Sequence, residues 1–225
     1  MIKTVLIDVD DTILDFRECA GFSIESACKE YGIPYSATLK DTFVKVNDSL
    51  WQRVERGEIT RDYLHDTRFD SIFSLLNISA DGKAFEKTFR TYLNESSITV
   101  DGAKELLEYL SKRYFLAVAS NAFYTQQINR LKKAGLLQYF NDIFVSSNVG
   151  ADKPSKEFFD YCLLHSPAKN KSEVIIIGDS VTADITGGKR YGLTTCYLDR
   201  FNKTPDKNFM PDFTVKTLAE IKNIL

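Results

Sequence analysis

The chain has 225 residues, 44% of them apolar, and its 29 basic and 31 acidic side chains leave a net charge of −2. This length suits one large domain, or a core domain with a smaller insert, and it buries a core without staples. The balanced charge argues against non-specific binding to nucleic acid or to an anionic membrane, although a small basic pocket for one phosphate is still allowed.

The first element is a short apolar run, Val5-Leu6-Ile7, which reads as a buried strand. It ends in Asp8-Val9-Asp10-Asp11-Thr12. The run is too short for a signal peptide and is stopped by acids, and no apolar stretch approaches a membrane span. From about Asp15 to Ser97 the texture changes to amphipathic helices over Phe16–Tyr31, 36–56, 60–76 and 82–93. Breaks fall at Gly32-Ile33-Pro34, Gly57 and Asn77-Ile78-Ser79, and Thr60 reads as a cap. Residues 15–97 therefore form a helical insert, and residues 1–14 with 98–225 form the core.

Beyond the insert, strand and helix alternate. Strands are predicted at Phe115–Ala119, Ile143–Val145, Val174–Ile177 and Thr194–Leu198. Helices are predicted at Ala103–Lys112, with Leu106, Leu107 and Leu110 on one face, at Tyr124–Ala134, with Ile128 and Leu131, and at Lys156–His165, with Phe158, Phe159, Cys162 and Leu163. This order implies an α/β fold, a parallel sheet with helices on both faces. Residues 202–211, with Pro205 and Pro211, read as a surface loop. Cys19, Cys28, Cys162 and Cys196 form no Cys-x-x-Cys pair, and only His65 and His165 accompany them, so a zinc cluster and a disulfide framework are both disfavoured. A reducing cytoplasm is the expected compartment.

The chemistry collects where strands end, which is where open parallel sheets bind ligands. Asp8 and Asp10 follow the first strand, Ser120 and Asn121 the second, Lys153 the third, and Asp179 and Ser180 the fourth. Carboxylates without histidine or thiolate suit a hard cation such as magnesium, which also binds substrate phosphate. A carboxylate can attack phosphorus and form an aspartyl-phosphate, and a second carboxyl group can protonate the leaving oxygen and later deprotonate water. The spacing of Asp8 and Asp10 serves this only if the strand's alternation ends after Asp8, so a turn is expected there, with Thr12 bonding to nearby backbone. Asp11 reads as a turn residue. Each residue also has a plainer reading. Asp184 could simply pair with Lys189, and Trp51, Phe43, Phe69 and Phe73 read as core of the insert. His65 reads as a packing or surface residue, and the cysteines read as apolar fillers.

Asp8-Val9-Asp10-Asp11-Thr12, then Ser120-Asn121, Lys153-Pro154, and Gly178-Asp179-Ser180 with Asp184 resemble, in order, the four motifs of the haloacid dehalogenase-like superfamily. The resemblance spans the chain, and the insert sits where that superfamily carries a C1-type cap. It implies a Rossmann-like core with a mobile cap, Asp8 as nucleophile, and Asp10 as general acid and base. By the same likeness Ser120, Asn121 and Lys153 bind the phosphoryl group. Asp8, Asp179 and the backbone carbonyl of Asp10 hold Mg2+, and Thr12, Ser180 and Asp184 support the site.

Leu50-Trp51 through Gly57-Glu58-Ile59-Thr60 to Arg68-Phe69, and Asp184-Ile185-Thr186-Gly187-Gly188, resemble the pyrimidine 5'-nucleotidases of this superfamily. They imply small phosphomonoester substrates such as dUMP, dTMP, UMP and non-standard analogues. Tyr191 and Val100-Asp101-Gly102 depart from the usual pattern, the first in helix packing and the second at a loop start. The alternatives are a phosphoglycolate-type phosphatase, a phosphosugar mutase, a 2-haloacid dehalogenase, or a receiver-like regulatory module. Asp10 counts against the dehalogenase, and the helical insert counts against the receiver.

Overall fold

The computed structural model describes residues 1–225. In chain order, β1 (Thr4–Ile7) leads into four helices, α1 (Phe16–Tyr31), α2 (Ala37–Glu55), α3 (Arg61–Leu76) and α4 (Gly82–Glu95). Then follow α5 (Ala103–Ser111), β2 (Phe115–Ser120), α6 (Tyr124–Lys133), β3 (Asp142–Val145), α7 (Ser146–Val149) and α8 (Lys156–Leu164). The chain continues with β4 (Val174–Gly178), a π-helical turn (Val181–Thr186), α9 (Gly187–Tyr191), β5 (Thr194–Leu198), β6 (Phe213–Val215) and a closing 3-10 helix (Leu218–Asn223). The chain divides into two compact units, Met1–Asp15 with Ser97–Leu225, and Phe16–Ser96.

In the first unit all six strands run parallel, in the order β3-β2-β1-β4-β5-β6. Successive residues point to opposite faces, so each strand must be apolar on both. Val5, Ile7, Leu116, Val118, Ile175 and Ile177 face a core filled by Leu106, Leu107 and Leu110 of α5 and Leu131 of α6. Leu6, Ala117, Ala119 and Ile176 face Phe158, Phe159 and Cys162 of α8 and Tyr191 of α9. Burying a side chain of this size contributes about 1.5–3 kcal/mol. Tyr191 fits because its ring stacks on Phe159, 5.4 Å between centroids, while its hydroxyl donates to Asp160 at 2.7 Å. Gly102 takes a left-handed φ of 77° just before α5, the one demand that the altered loop start makes.

Sequence periodicity misses the sixth strand. β6 has three residues, only Val215 of them buried, and it gains its pairing from β5 (Cys196 beside Phe213). The short α7 and the π-helical turn also go unread, because each is shorter than the repeat that would reveal it.

The second unit is a helical array. Helices α2, α3 and α4 begin where Ser36, Thr60 and Asp81 accept hydrogen bonds from the backbone N–H of Leu39 (3.2 Å), Tyr63 (3.1 Å) and Ala84 (2.9 Å). Such caps contribute about 1 kcal/mol each. The core is aromatic: Phe43, Phe69, Phe73, Phe85 and Phe89 are buried, with the rings of Phe69 and Phe85 4.7 Å apart. Trp51 is only half-buried and lies outside that cluster. Arg68 lies within it, over Phe43 and Phe89 at 5.0 Å each, and donates to Glu86 through Nε (3.1 Å) and NH2 (2.6 Å) and to Asn47 through NH1 (2.7 Å). His65 meets the same carboxylate at 3.2 Å. Burial pushes Glu86 up, but Arg68 and His65 outweigh it and hold the carboxyl below its ordinary range, while burial lowers His65. The four cysteines are buried and unpaired by disulfides. No helix is long and apolar enough to cross a membrane.

Candidate active site

Strand β1 ends in pairing with β4: the Asp8 N–H donates to Ile177 O at 2.9 Å. The chain then coils at once. The carbonyl of Val9 accepts from the N–H groups of Thr12 (3.3 Å), Ile13 (2.9 Å) and Leu14 (2.9 Å), and Asp11 adopts a left-handed φ of 61°. This is the turn that breaks strand alternation after Asp8 and swings Asp10 out of line. Thr12 bonds differently from the expectation: its hydroxyl donates to the Asp8 carboxylate (Oδ2, 3.3 Å) and not to backbone. It is wholly buried, and the carboxylate is the nearby acceptor that satisfies it.

Lys153 is the hub. Its side chain is buried, and Nζ donates to Asp8 Oδ1 (2.8 Å), Asp184 Oδ1 (2.7 Å) and the carbonyl of Ala119 (2.5 Å). Burial alone would lower the ammonium pKa, but the Asp184 and Asp8 carboxylates reverse the direction and raise it. Asn121 fixes the backbone beneath: Nδ2 donates to Lys153 O and Oδ1 accepts from Lys153 N, both at 2.7 Å. Asn121 thus braces the lysine loop, and its amide keeps a second N–H and a second lone pair.

Asp179 follows β4, and its Oδ2 meets Lys203 Nζ at 3.2 Å. Asp184 is fully buried in the π-helical turn, accepts from the Ser180 N–H at 3.1 Å, and pairs with Lys153. It does not pair with Lys189, which bonds Asp212 at 2.7 Å. Ser180 caps the turn by accepting from Ala183 N at 3.0 Å. Gly178 is needed here. A Cβ on it would lie 2.0 Å from Asp184 Oδ2, and one on Gly187 would lie 2.6 Å from Pro154 Cβ. The glycines let Asp184 and the Lys153 loop close on the strand end.

Carboxylate oxygens of Asp8, Asp179 and Asp184 lie within 4.8 Å of one another. Burial pushes Asp8 well above the usual carboxylate range. Lys153 opposes that rise, and Asp184 and Asp179 add to it. Burial raises Asp179 as well, against Lys203 and with Asp184. Three crowded acids facing two lysines leave an excess of negative charge, which a cation would relieve, and an all-oxygen donor set suits a hard one. These residues could hold a metal ion.

Asp10 stands at the edge of the group, with its side chain 32% exposed. Arg130 NH1 donates to its Oδ1 (2.5 Å), and Gln127 Nε2 donates to its Oδ2 (2.7 Å) and to Ser120 Oγ (3.0 Å). Gln127 and Arg130 escape a reading of α6 by its apolar residues, because they are polar occupants of its buried stripe, beside Leu131. Two further residues come from the stretch after β5. Lys203 reaches Asp179, and Arg200 donates to Asp15 (2.6 Å) and to the Asp11 carbonyl (3.2 Å). The available signal for these two was their placement just past a strand end.

This order of groups on a parallel sheet agrees with the comparisons. The family model for haloacid dehalogenase-like hydrolases matches residues 5–198. The chain belongs to that family. Among its relatives, the pyrimidine 5'-nucleotidase PynA of Streptococcus pneumoniae is 31% identical over 229 residues, spanning 99% of this chain and 97% of its own. The pyrimidine 5'-nucleotidase YjjG of Escherichia coli is 30% identical over 221 residues, spanning 98% and 96%. The magnesium-bound crystal structure of YfnB from Bacillus subtilis superposes with a TM-score of 0.94 at 35% identity, covering 100% of this chain and 98% of that one. As a member of this hydrolase family the chain is an enzyme.

Proposed function

We propose that the chain is a magnesium-dependent phosphomonoesterase in which Asp8 is the nucleophile, and that its substrates are pyrimidine nucleoside monophosphates. The observation that carries the reading is the Asp8 carboxylate. It is buried, held on one oxygen by Lys153 and on the other by Thr12, and grouped with Asp179 and Asp184. Asp8 attacks phosphorus, the bond to the leaving oxygen breaks, and Asp10 gives that oxygen a proton. Water then attacks the aspartyl-phosphate, the bond from phosphorus to Asp8 breaks, and Asp10 takes the water's proton. Lys153 and the Ser120 hydroxyl bind the phosphoryl oxygens, Asn121 keeps the lysine loop in place, and Ser180 and Asp184 brace the site. Asp8, Asp179 and the backbone carbonyl of Asp10 would hold the ion, with Asp184 beside them. Bound there, magnesium supplies the positive charge that offsets repulsion between a carboxylate and a phosphate dianion.

The substrate class is supported by the likeness to PynA and YjjG along nearly the whole chain. The Phe16–Ser96 unit is the cap that selects among esters. Glyceraldehyde 3-phosphate phosphatases, such as that of Methanocaldococcus jannaschii at 25% identity, lie further off. The test is phosphate release from dUMP, dTMP and UMP beside phosphoglycolate and sugar phosphates, with and without magnesium. Preference for the nucleotides is expected, together with loss of turnover in Asp8→Asn. The reverse ranking discards the nucleotidase reading, and no turnover of any phosphomonoester discards the phosphatase.

A further inference from the structure

We infer that Gln127 and Arg130 are positioning residues for proton transfer through Asp10, and that Gln127 ties that transfer to phosphoryl binding at Ser120. The inference rests on the assignment of Asp10 as proton donor in the proposed function. Both residues are wholly buried and lie three apart on α6, which puts them on one face. Taking a guanidinium out of water is costly and is tolerated where a carboxylate and hydrogen bonds receive it. Here Arg130 NH1 donates to Asp10 Oδ1 at 2.5 Å, and Gln127 Nε2 donates to Asp10 Oδ2 at 2.7 Å. With both oxygens engaged from α6, the plane and rotamer of the carboxyl group are set.

Gln127 has a second effect. Its Nε2 also donates to Ser120 Oγ at 3.0 Å. The serine oxygen is therefore an acceptor within the protein, and its hydroxyl proton is left to be given to a phosphoryl oxygen. One amide nitrogen thus fixes the separation between the group that protonates the leaving oxygen and the group that holds the phosphoryl. Gln127 Oε1 in turn accepts from Arg130 NH1 at 3.4 Å, which closes the chain Ser120, Gln127, Asp10, Arg130.

The test exploits leaving groups. A nitrophenolate departs without a proton, whereas the alkoxide of a nucleoside needs one. Because Asp10 serves both steps, the first is isolated by single-turnover release of the leaving group. Wild type, Arg130→Met, Arg130→Lys and Gln127→Leu are compared on para-nitrophenyl phosphate and on dUMP. For Arg130→Met the expected loss on dUMP is about 30- to 100-fold, against less than about threefold on para-nitrophenyl phosphate, with partial recovery in Arg130→Lys; Gln127→Leu, which also releases Ser120, should lose about 10-fold on para-nitrophenyl phosphate and about 10-fold more than that on dUMP. In an Asp10→Asn background Arg130→Met should cost less than about twofold more on dUMP. Equal losses on the two esters, as misfolding would give, overturn the inference, and so does an undiminished Arg130→Met effect in Asp10→Asn. An inactive wild type overturns the phosphatase reading and this inference with it. An active wild type with equal losses overturns this inference alone.

Discussion

Replacing Lys153 by Met tests whether the buried charges are as interdependent as their geometry says. The ammonium lies 2.8 Å from Asp8 and 2.7 Å from Asp184, with Asp179 close by. At an effective dielectric of about 20, each contact is a gross attraction of about 6 kcal/mol. Most of that is offset by desolvation, and removing one partner of a buried pair has a net cost of about 3–5 kcal/mol. For a chain of this length that corresponds to a fall in melting temperature of about 6–20 °C. The deficit depends on pH. Without the lysine, Asp8 rises further above its unfolded pKa, so the native state holds a proton that the unfolded state has released. Stability then falls as pH rises above about 4, the unfolded carboxylate value. Calorimetry of the metal-free protein at pH 5 and pH 8 should show the larger loss at pH 8. Lys153→Met with Asp184→Asn should recover part of it, because the orphaned charge is gone as well. A single variant melting within about 2 °C of wild type at pH 8, or equally reduced at both pH values, would refute the charge argument.

Gly178→Ala should lower both melting temperature and turnover, by at least about 1–3 kcal/mol in stability, since the new methyl overlaps Asp184 Oδ2 at 2.0 Å; an unchanged thermal midpoint contradicts this. Asp179→Asn should stabilise the metal-free protein at pH 8 and leave it near wild type at pH 4, as judged by thermal melts. The sign follows from burial raising the native pKa of Asp179 above its unfolded value, so that its contribution becomes unfavourable as pH rises. In the same variant the stabilisation produced by magnesium should shrink, from about 2.7 kcal/mol at a hundredfold excess over Kd toward zero. Glu86→Ala strands the Arg68 guanidinium among aromatic rings, and urea titration should register a loss of about 3–5 kcal/mol.

What was legible in the sequence divides along physical lines. Strands β1 to β5 and the helices from α1 to α6 and α8 declare themselves through apolar period, and the parallel α/β sheet follows from their alternation. So do the residues at strand ends, because a run of branched residues that stops at Asp8, Ser120 or Asp179 marks its own boundary. What periodicity cannot carry is a polar residue occupying an apolar position. Gln127 and Arg130 sit on the buried stripe of α6 and look like solvent-facing residues until Asp10 is seen opposite them. Side-chain partners are equally hidden. Thr12 turns to the Asp8 carboxylate and not to backbone, and Asp184 pairs with Lys153, distant in sequence, and not with the nearby Lys189.

The register of the sheet explains why groups so far apart in sequence meet. Ile7 pairs with Val118 on one side and Ile177 on the other. Asp8 is one residue beyond that row, and Ser120 and Asp179 are each two beyond it. Neighbouring strands lie about 4.8 Å apart, so a carboxylate from the central strand is flanked by a hydroxyl and a second carboxylate at the span of a phosphoryl group or a cation. A slip of one residue in β4 would turn Asp179 to the opposite face and exchange the layer of Ile175 and Ile177 with that of Ile176. With Ile175 and Ile177 in one layer and Ile176 in the other, the observed register fills both layers and brings Asp179 beside Asp8. The core that stabilises the sheet thus also sets the site's spacing, and it offsets the repulsion among acids that are unstable in one another's company.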